Sequence, residues 1–147
     1  MDRFLQFISA EWYLFGAFVV ILALLLRNVL APKLSGIKDI DANEAVRLLN
    51  DENTVLIDVR LENEFKAGHI QNAKHIPLGA LESRIRELES HKSAPIIVNC
   101  QSGNRSRSAA QILRKHGFEN VSNLAGGMAA WTGANLPVSK GGKSKKG

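Results

Sequence analysis

One cysteine, Cys100, stands in a chain of 147 residues, and that scarcity excludes several chemistries at once. An internal disulfide is impossible, so nothing in the fold requires an oxidising compartment. Metal clusters built on CxxC pairs are excluded, and His69, His75, His91 and His116 show no ligand spacing. No metal and no cofactor is therefore expected. An excess of charge is also missing from the body of the chain: from Ile37 to Ser139, twelve Lys and Arg face twelve Asp and Glu. The net charge of +5 comes from Arg27 and Lys33 and from the tail residues Lys140, Lys143, Lys145 and Lys146. A neutral body with basic ends lacks the broad basic face of a duplex binder, so nucleic acid is not an expected partner. There is no internal repeat, and only the tail is of low complexity.

Charge is absent a second time between Trp12 and Leu26, where WYLFGAFVVILALLL is apolar on every side of a helix. Fifteen residues are too few for a full span. With Arg27 snorkelling the run reaches Ala31, and twenty residues at about 1.5 Å each match a hydrocarbon core of roughly 30 Å. A single transmembrane helix over 12–31 is therefore expected, anchored at one interface by Trp12 and Tyr13. Two alternatives stand beside it. A secretory signal peptide would want a basic leading region, yet Asp2, Arg3 and Glu11 precede the run. A buried core helix would need a host, and the remaining residues have a periodic core of their own. Arg27, Lys33 and Lys38 follow the apolar run, so the positive-inside rule turns the C-terminal domain to the cytoplasm. The expected organisation is a flank at 1–11, the span, a linker at 32–36, one domain at 37–138 and a basic disordered tail at 139–147. The tail reads as a solvated extension or as a contact for anionic headgroups.

Within the domain the periodicity alternates. Asp41 and Glu44 read as a helix N-cap with its reciprocal acid, opening a helix with Ala45, Val46, Leu48 and Leu49 on one side. Val55–Val59 is a short apolar strand, Glu62–Ala67 a helix ended by Gly68, and Ala73–Pro77 a second brief strand. Leu78, Leu81, Ile85 and Leu88 recur at helical spacing. Pro95–Asn99 is a third strand, Ala109 to Leu113 mark a helix stopped at Gly117, and Val121–Leu124 is a fourth strand. Fully apolar strands alternating with helices indicate an α/β fold, a parallel sheet flanked by helices on both faces. In such sheets ligands sit beyond the carboxyl ends of the strands.

Cys100 is at such an end, followed by Gln101, Ser102, Gly103, Asn104, Arg105 and Ser106 and then a helix. That order places a thiol on a tight loop whose N–H groups converge, and Gly103 permits the unusual dihedrals such a curl needs. Convergent amides and a helix N-terminus make an anion nest that favours the nucleophilic thiolate. Arg105, Arg107, Arg114 and Lys115 lie between Cys100 and Gly117 with no acid among them. The bland alternative is a small apolar filler after a buried strand, which needs neither nest nor guanidinium.

These residues, with Leu56-Ile57-Asp58-Val59-Arg60, Gly68-His69-Ile70, Ala73, Ile76-Pro77, Gly117-Phe118, Gly126-Gly127 and Trp131, resemble the rhodanese-like domain in order and spacing from about Ile37 to Val138. The resemblance implies a sulfurtransferase in which Cys100 takes sulfane sulfur from a small anionic donor. A persulfide forms in the loop of Gln101, Ser102, Gly103, Asn104 and Arg105 and passes to a thiol or an acceptor protein. It also implies that Asp58 and Arg60 support the loop and that His69 and Trp131 are structural. Gln101 stands where members specialised for thiosulfate often carry a basic residue. The related cysteine phosphatases place Arg six positions after the Cys, and that position here is Ser106. A binding module that retains the fold without turnover is the other alternative, although its usual mark is loss of the loop Cys.

Overall fold

The computed structural model describes residues 12–34 and 36–141, and the chain divides at Gly36 into two units. The first contains the helix α1 (Trp12–Leu34), favoured by its density of Leu and Ala. Its uncharged stretch ends at Leu26, and fifteen residues cover about 22 Å, short of a hydrocarbon core of roughly 30 Å. Among the described residues no helix is long and apolar enough to cross a membrane. The span expected over 12–31 required Arg27 within it and is not supported. The helix also continues past Pro32, where the linker was expected to begin; the lost hydrogen bond and the crowding of the Asn28 carbonyl are confined to its last turns. The flank at 1–11 and Lys143, Lys145 and Lys146 lie outside the described residues.

The second unit is an α/β layer structure. Its elements are β1 (Lys38–Ile40), α2 (Ala42–Leu49), β2 (Val55–Asp58), α3 (Glu62–Ala67), β3 (Lys74–His75), β4 (Ile96–Asn99), α4 (Asn104–Lys115), β5 (Val121–Leu124) and α5 (Gly127–Gly133). Two 3-10 turns, Leu78–Ala80 and Ile85–His91, lie between β3 and β4. The five strands pair in parallel in the order β1-β5-β4-β2-β3. Every residue of β2, β4 and β5 is buried, as a sheet covered on both faces requires.

Alternation along the strands divides the core in two. Ile57, Val98 and Cys100 pack with Leu81, Leu88, Ala109, Leu113 and Phe118 on one face. Leu56, Ile97 and Leu124 pack with Ala45, Phe65, Met128 and Trp131 on the other. The repeat from Leu78 to Leu88 does bury Leu81, Ile85 and Leu88, but in tight 3-10 turns rather than the helix its spacing suggested.

Asp41 caps α2, its carboxylate accepting from the Glu44 N–H at 2.7 Å. The reciprocal bond does not form, because the Glu44 carboxylate pairs with Lys38. At the other end of the unit, Ser139 exchanges backbone hydrogen bonds with His69 at 2.8 and 2.9 Å, and the Gly141 N–H donates to the Lys66 carbonyl at 3.1 Å. The tail expected to be disordered from 139 is thus tied to the domain through Gly141. Once two backbone ladder bonds are available, that segment no longer exposes its polar groups to water alone.

Candidate active site

β4 is the middle strand of the sheet, and Cys100 follows its last residue. Cys100 is fully buried, at the base of a loop that curls through Gly103 with φ +97° before α4 begins at Asn104. A β-carbon at Gly103 would sit 3.2 Å from the Gly126 nitrogen, so both dihedral and space demand glycine. The curl turns backbone donors onto the sulfur: the Gly103 N–H donates to Cys100 Sγ at 3.0 Å.

Burial pushes the Cys100 thiol up, but hydrogen bonds from the Ser106 hydroxyl and from the N–H groups of Ser106, Ser102 and Gly103 outweigh it and hold the thiol below its ordinary value. The nest expected from the sequence is present: three of its donors are peptide N–H groups, joined by the Ser106 hydroxyl.

A second strand end supports the loop from below. Asp58, the last residue of β2, and Arg60 are both buried and paired at 2.7 Å. Asp58 also accepts from the Arg60 backbone N–H at 3.0 Å, and Arg60 donates onward to the Gly68 carbonyl at 2.8 Å. The remaining arm of Arg60 reaches Gln101 Oε1 at 3.4 Å, which couples this pair to the residue after the cysteine. A third support comes from α5. The Met128 N–H donates to the Cys100 carbonyl at 2.8 Å and the Ala129 N–H to the Gln101 carbonyl at 3.1 Å.

Arg105 behaves differently from the expectation. Its guanidinium is gripped by both oxygens of Glu64 at 2.8 Å each, and Glu64 also accepts from the Leu61 N–H at 2.9 Å. The bidentate pair holds the Glu64 carboxyl at about 2. The acid missing from the segment after Cys100 is therefore supplied by α3, and Arg105 does not present a free cation to a ligand. Arg107 is likewise paired, with Asp39 at 2.5 Å. Gln101, Ser102 and Asn104 are exposed at the mouth of the loop. Among the described residues no cluster of side chains is arranged to hold a metal ion.

Sequence reasoning missed Glu64, Asn123 and Asp39. A polar Asn inside the otherwise buried β5 was the available signal for Asn123. Nothing local marks Asp39 or Glu64, whose partners are 68 and 41 residues away.

The model of the rhodanese-like domain matches residues 41–134. Over 142 residues, 96% of this chain and 99% of the relative, the sequence is 34% identical to protein YibN of Escherichia coli K12. It is 34% identical over 99 residues to thiosulfate sulfurtransferase GlpE of Vibrio cholerae, covering 67% of this chain and 92% of that one. The crystal structure of the Alr3790 protein from Anabaena superposes with a TM-score of 0.64 at 31% identity, over 69% of this chain and 80% of that one. Family model, full-length relative and superposed fold agree with the loop geometry: the chain belongs to the rhodanese-like family.

Proposed function

We propose that the chain is a sulfurtransferase that carries sulfane sulfur on Cys100. In the first half-reaction the Cys100 thiolate attacks the outer sulfur of a donor. A new S–S bond forms, the donor's own bond to that sulfur breaks, and the leaving group, a thiolate or sulfite, departs with the electron pair. The loop N–H groups then face the anionic outer sulfur of the persulfide, a preorganised stabilisation of the charge that the step creates. In the second half-reaction an acceptor thiolate takes that outer sulfur, and Cys100 leaves as thiolate.

The observation that carries this reading is the convergence of hydrogen-bond donors on Cys100 Sγ at the end of the central strand. The kinship with GlpE, which is named a thiosulfate sulfurtransferase, supports the reaction class. Intact-mass spectrometry after incubation with a persulfide or thiosulfate donor tests it. One added sulfur atom on the wild-type protein and none on Cys100→Ser is the expected result. No adduct on the wild type from either donor overturns the reading.

Gln101 to Asn104 line the mouth through which the donor enters, and Arg105 acts there as one half of a neutral pair. Membrane attachment through α1, with the domain towards the cytoplasm, is part of the same proposal. Its support is an uncharged helical run in which Trp12, Phe15 and Leu24 are not buried, which calls for apolar cover. Release of the protein from membranes by a high-salt wash would contradict that attachment.

A further inference from the structure

We propose that Asp39 is a positioning residue for the cysteine: through Asn123 it decides which neighbour receives the single hydroxyl proton of Ser106, and so how firmly the Cys100 sulfur is held as an anion. The inference rests on the sulfur-carrying reading of the site.

Four side chains, Cys100 of the loop after β4 and one each from α4, β5 and β1, make the connection. Ser106, on α4 and fully buried, lies with Oγ 3.3 Å from Cys100 Sγ and 2.5 Å from Asn123 Oδ1. Asn123, buried in β5, donates from Nδ2 to Asp39 Oδ1 of β1 at 2.9 Å. Asp39 Oδ2 is occupied by Arg107.

The donor count then fixes the direction. A serine hydroxyl has one proton, and two acceptors lie within its reach. An ionised carboxylate only accepts, so Asp39 obliges Asn123 to turn its amide nitrogen towards β1 and its carbonyl towards Ser106. The carbonyl takes the Ser106 proton along the shorter of the two contacts. While Cys100 keeps its proton, the sulfur meets the hydroxyl oxygen's lone pairs, a partner suited to a thiol S–H. When Cys100 ionises, the hydroxyl must turn away from Asn123 to donate to the sulfur, leaving a buried amide oxygen without its donor. Asp39 thus biases a two-position rotor against the thiolate that the loop N–H groups favour.

The charged groups around the site do not supply that bias directly. Asp58 is paired with Arg60 at the end of β2, Glu64 of α3 with Arg105, and Asp39 with Arg107. His75, at the end of β3, is hydrogen-bonded to the Arg60 carbonyl at 2.8 Å.

Asp39→Asn allows the Asn123 amide to reverse, donate to Ser106 Oγ and release the hydroxyl proton to the sulfur. The experiment is the pH profile of Cys100 alkylation by iodoacetamide in the full chain. Asp39→Asn is expected to move the midpoint to lower pH, giving about three- to tenfold faster alkylation below the wild-type midpoint, the change one hydrogen bond corresponds to. Removing a negative charge also favours a thiolate at long range, so the decisive measurement is made in a Ser106→Ala background. There the Asp39→Asn shift should vanish, and Ser106→Thr, which restores the hydroxyl, should bring it back. Asn123→Ala offers a second way to cut the connection if Ser106→Ala does not fold. An unmoved midpoint, or equal shifts with and without the Ser106 hydroxyl, overturns the proposal. Because the readout is thiol reactivity alone, failure of sulfur loading is a separate result.

Discussion

Two neighbouring strands, β2 and β4, end at the same edge of the sheet and solve opposite electrostatic problems. After β2, Asp58 and Arg60 are both charged and both buried, and each satisfies the other: Arg60 Nε and Nη2 reach the Asp58 carboxylate at 3.0 and 2.7 Å. After β4, one ionisable sulfur is buried, beside no unpaired cation among the described residues, and is met by backbone N–H groups and the Ser106 hydroxyl instead. The first arrangement is closed, because every strong donor already has an acceptor. The second is open, because peptide dipoles aimed at one point can stabilise a charge that moves outward by one sulfur atom. Structural charge is neutralised by side chains, whereas chemical charge is held by backbone geometry.

The closed end gives the largest expected effect. Asp58→Ala strands a guanidinium that is only 3% exposed, and removing one partner of a buried pair typically costs about 3–5 kcal/mol. Thermal or denaturant unfolding of the full chain measures it. The same substitution should loosen Gln101, whose side chain is held by Arg60. A loss below about 1 kcal/mol would mean that Arg60 finds water, and the contrast between the two strand ends would fail.

The open end is broken through its backbone. A β-carbon on Gly127 would lie 2.2 Å from the Cys100 carbonyl oxygen and 2.8 Å from the Gln101 carbonyl carbon, at φ +54°. Gly127→Ala must therefore push the cysteine loop off the N-terminus of α5. We expect a loss of about 1–3 kcal/mol from strain and displacement, with the alkylation midpoint of Cys100 rising as its donors lose aim. Gly117→Ala is the matched control. It shares the left-handed dihedral, φ +90°, but nothing lies within 4 Å, so it should cost only the backbone strain and leave the thiol unmoved. Equal effects of the two substitutions on Cys100 reactivity would show that the buttress is irrelevant to the sulfur.

The same division explains what the sequence could reveal. The strand Val55–Asp58, the helix Glu62–Ala67 and the strand Val121–Leu124 were readable because apolar runs and a closing glycine are local signals. The curl at Gly103 was readable for the same reason. β1 was not, since three residues, KDI, with two of them exposed carry no period. α5 was not recognised as a helix because Gly126 and Gly127 mark a loop unless one knows that the Cys100 carbonyl lies against them. Arg105 was read as part of a basic segment without an acid because its partner Glu64 sits 41 residues earlier. Long-range pairing converts charges counted along the chain into neutral pairs, so net charge near a motif overstates the field at the site. The apolar run was legible as a helix. Its expected reach to Ala31 depended on Arg27 joining a segment whose uncharged part ends at Leu26.

If backbone dipoles dominate at the open end, Arg105→Gln should move the Cys100 midpoint upward by less than Gly127→Ala does. Arg105 is partly exposed, and its charge is matched by Glu64. Alkylation profiles of the two variants, collected side by side, decide the ranking. If Arg105→Gln proved the more damaging, the guanidinium would have to act on the sulfur itself, and the sulfur would no longer differ from the Asp58–Arg60 pair in kind.

The smallest effect belongs to Glu64, and its sign is fixed by the direction of its shift. The Arg105 hydrogen bonds hold its carboxyl at about 2, below the ordinary 4.5. A group whose folded value is depressed binds its proton first in the unfolded chain, so its stabilisation is fully present above about 4.5 and is lost as pH falls towards about 2. Both partners are partly exposed, so solvent screening keeps the contribution within the range of surface pairs, at most about 1 kcal/mol. The measurement is unfolding free energy against pH for the wild type and Glu64→Gln. The two curves should separate above pH 4.5 and converge below it. A gap that persists unchanged at acid pH would mean that Glu64 acts through packing at the start of α3, and that the loop owes nothing to its charge.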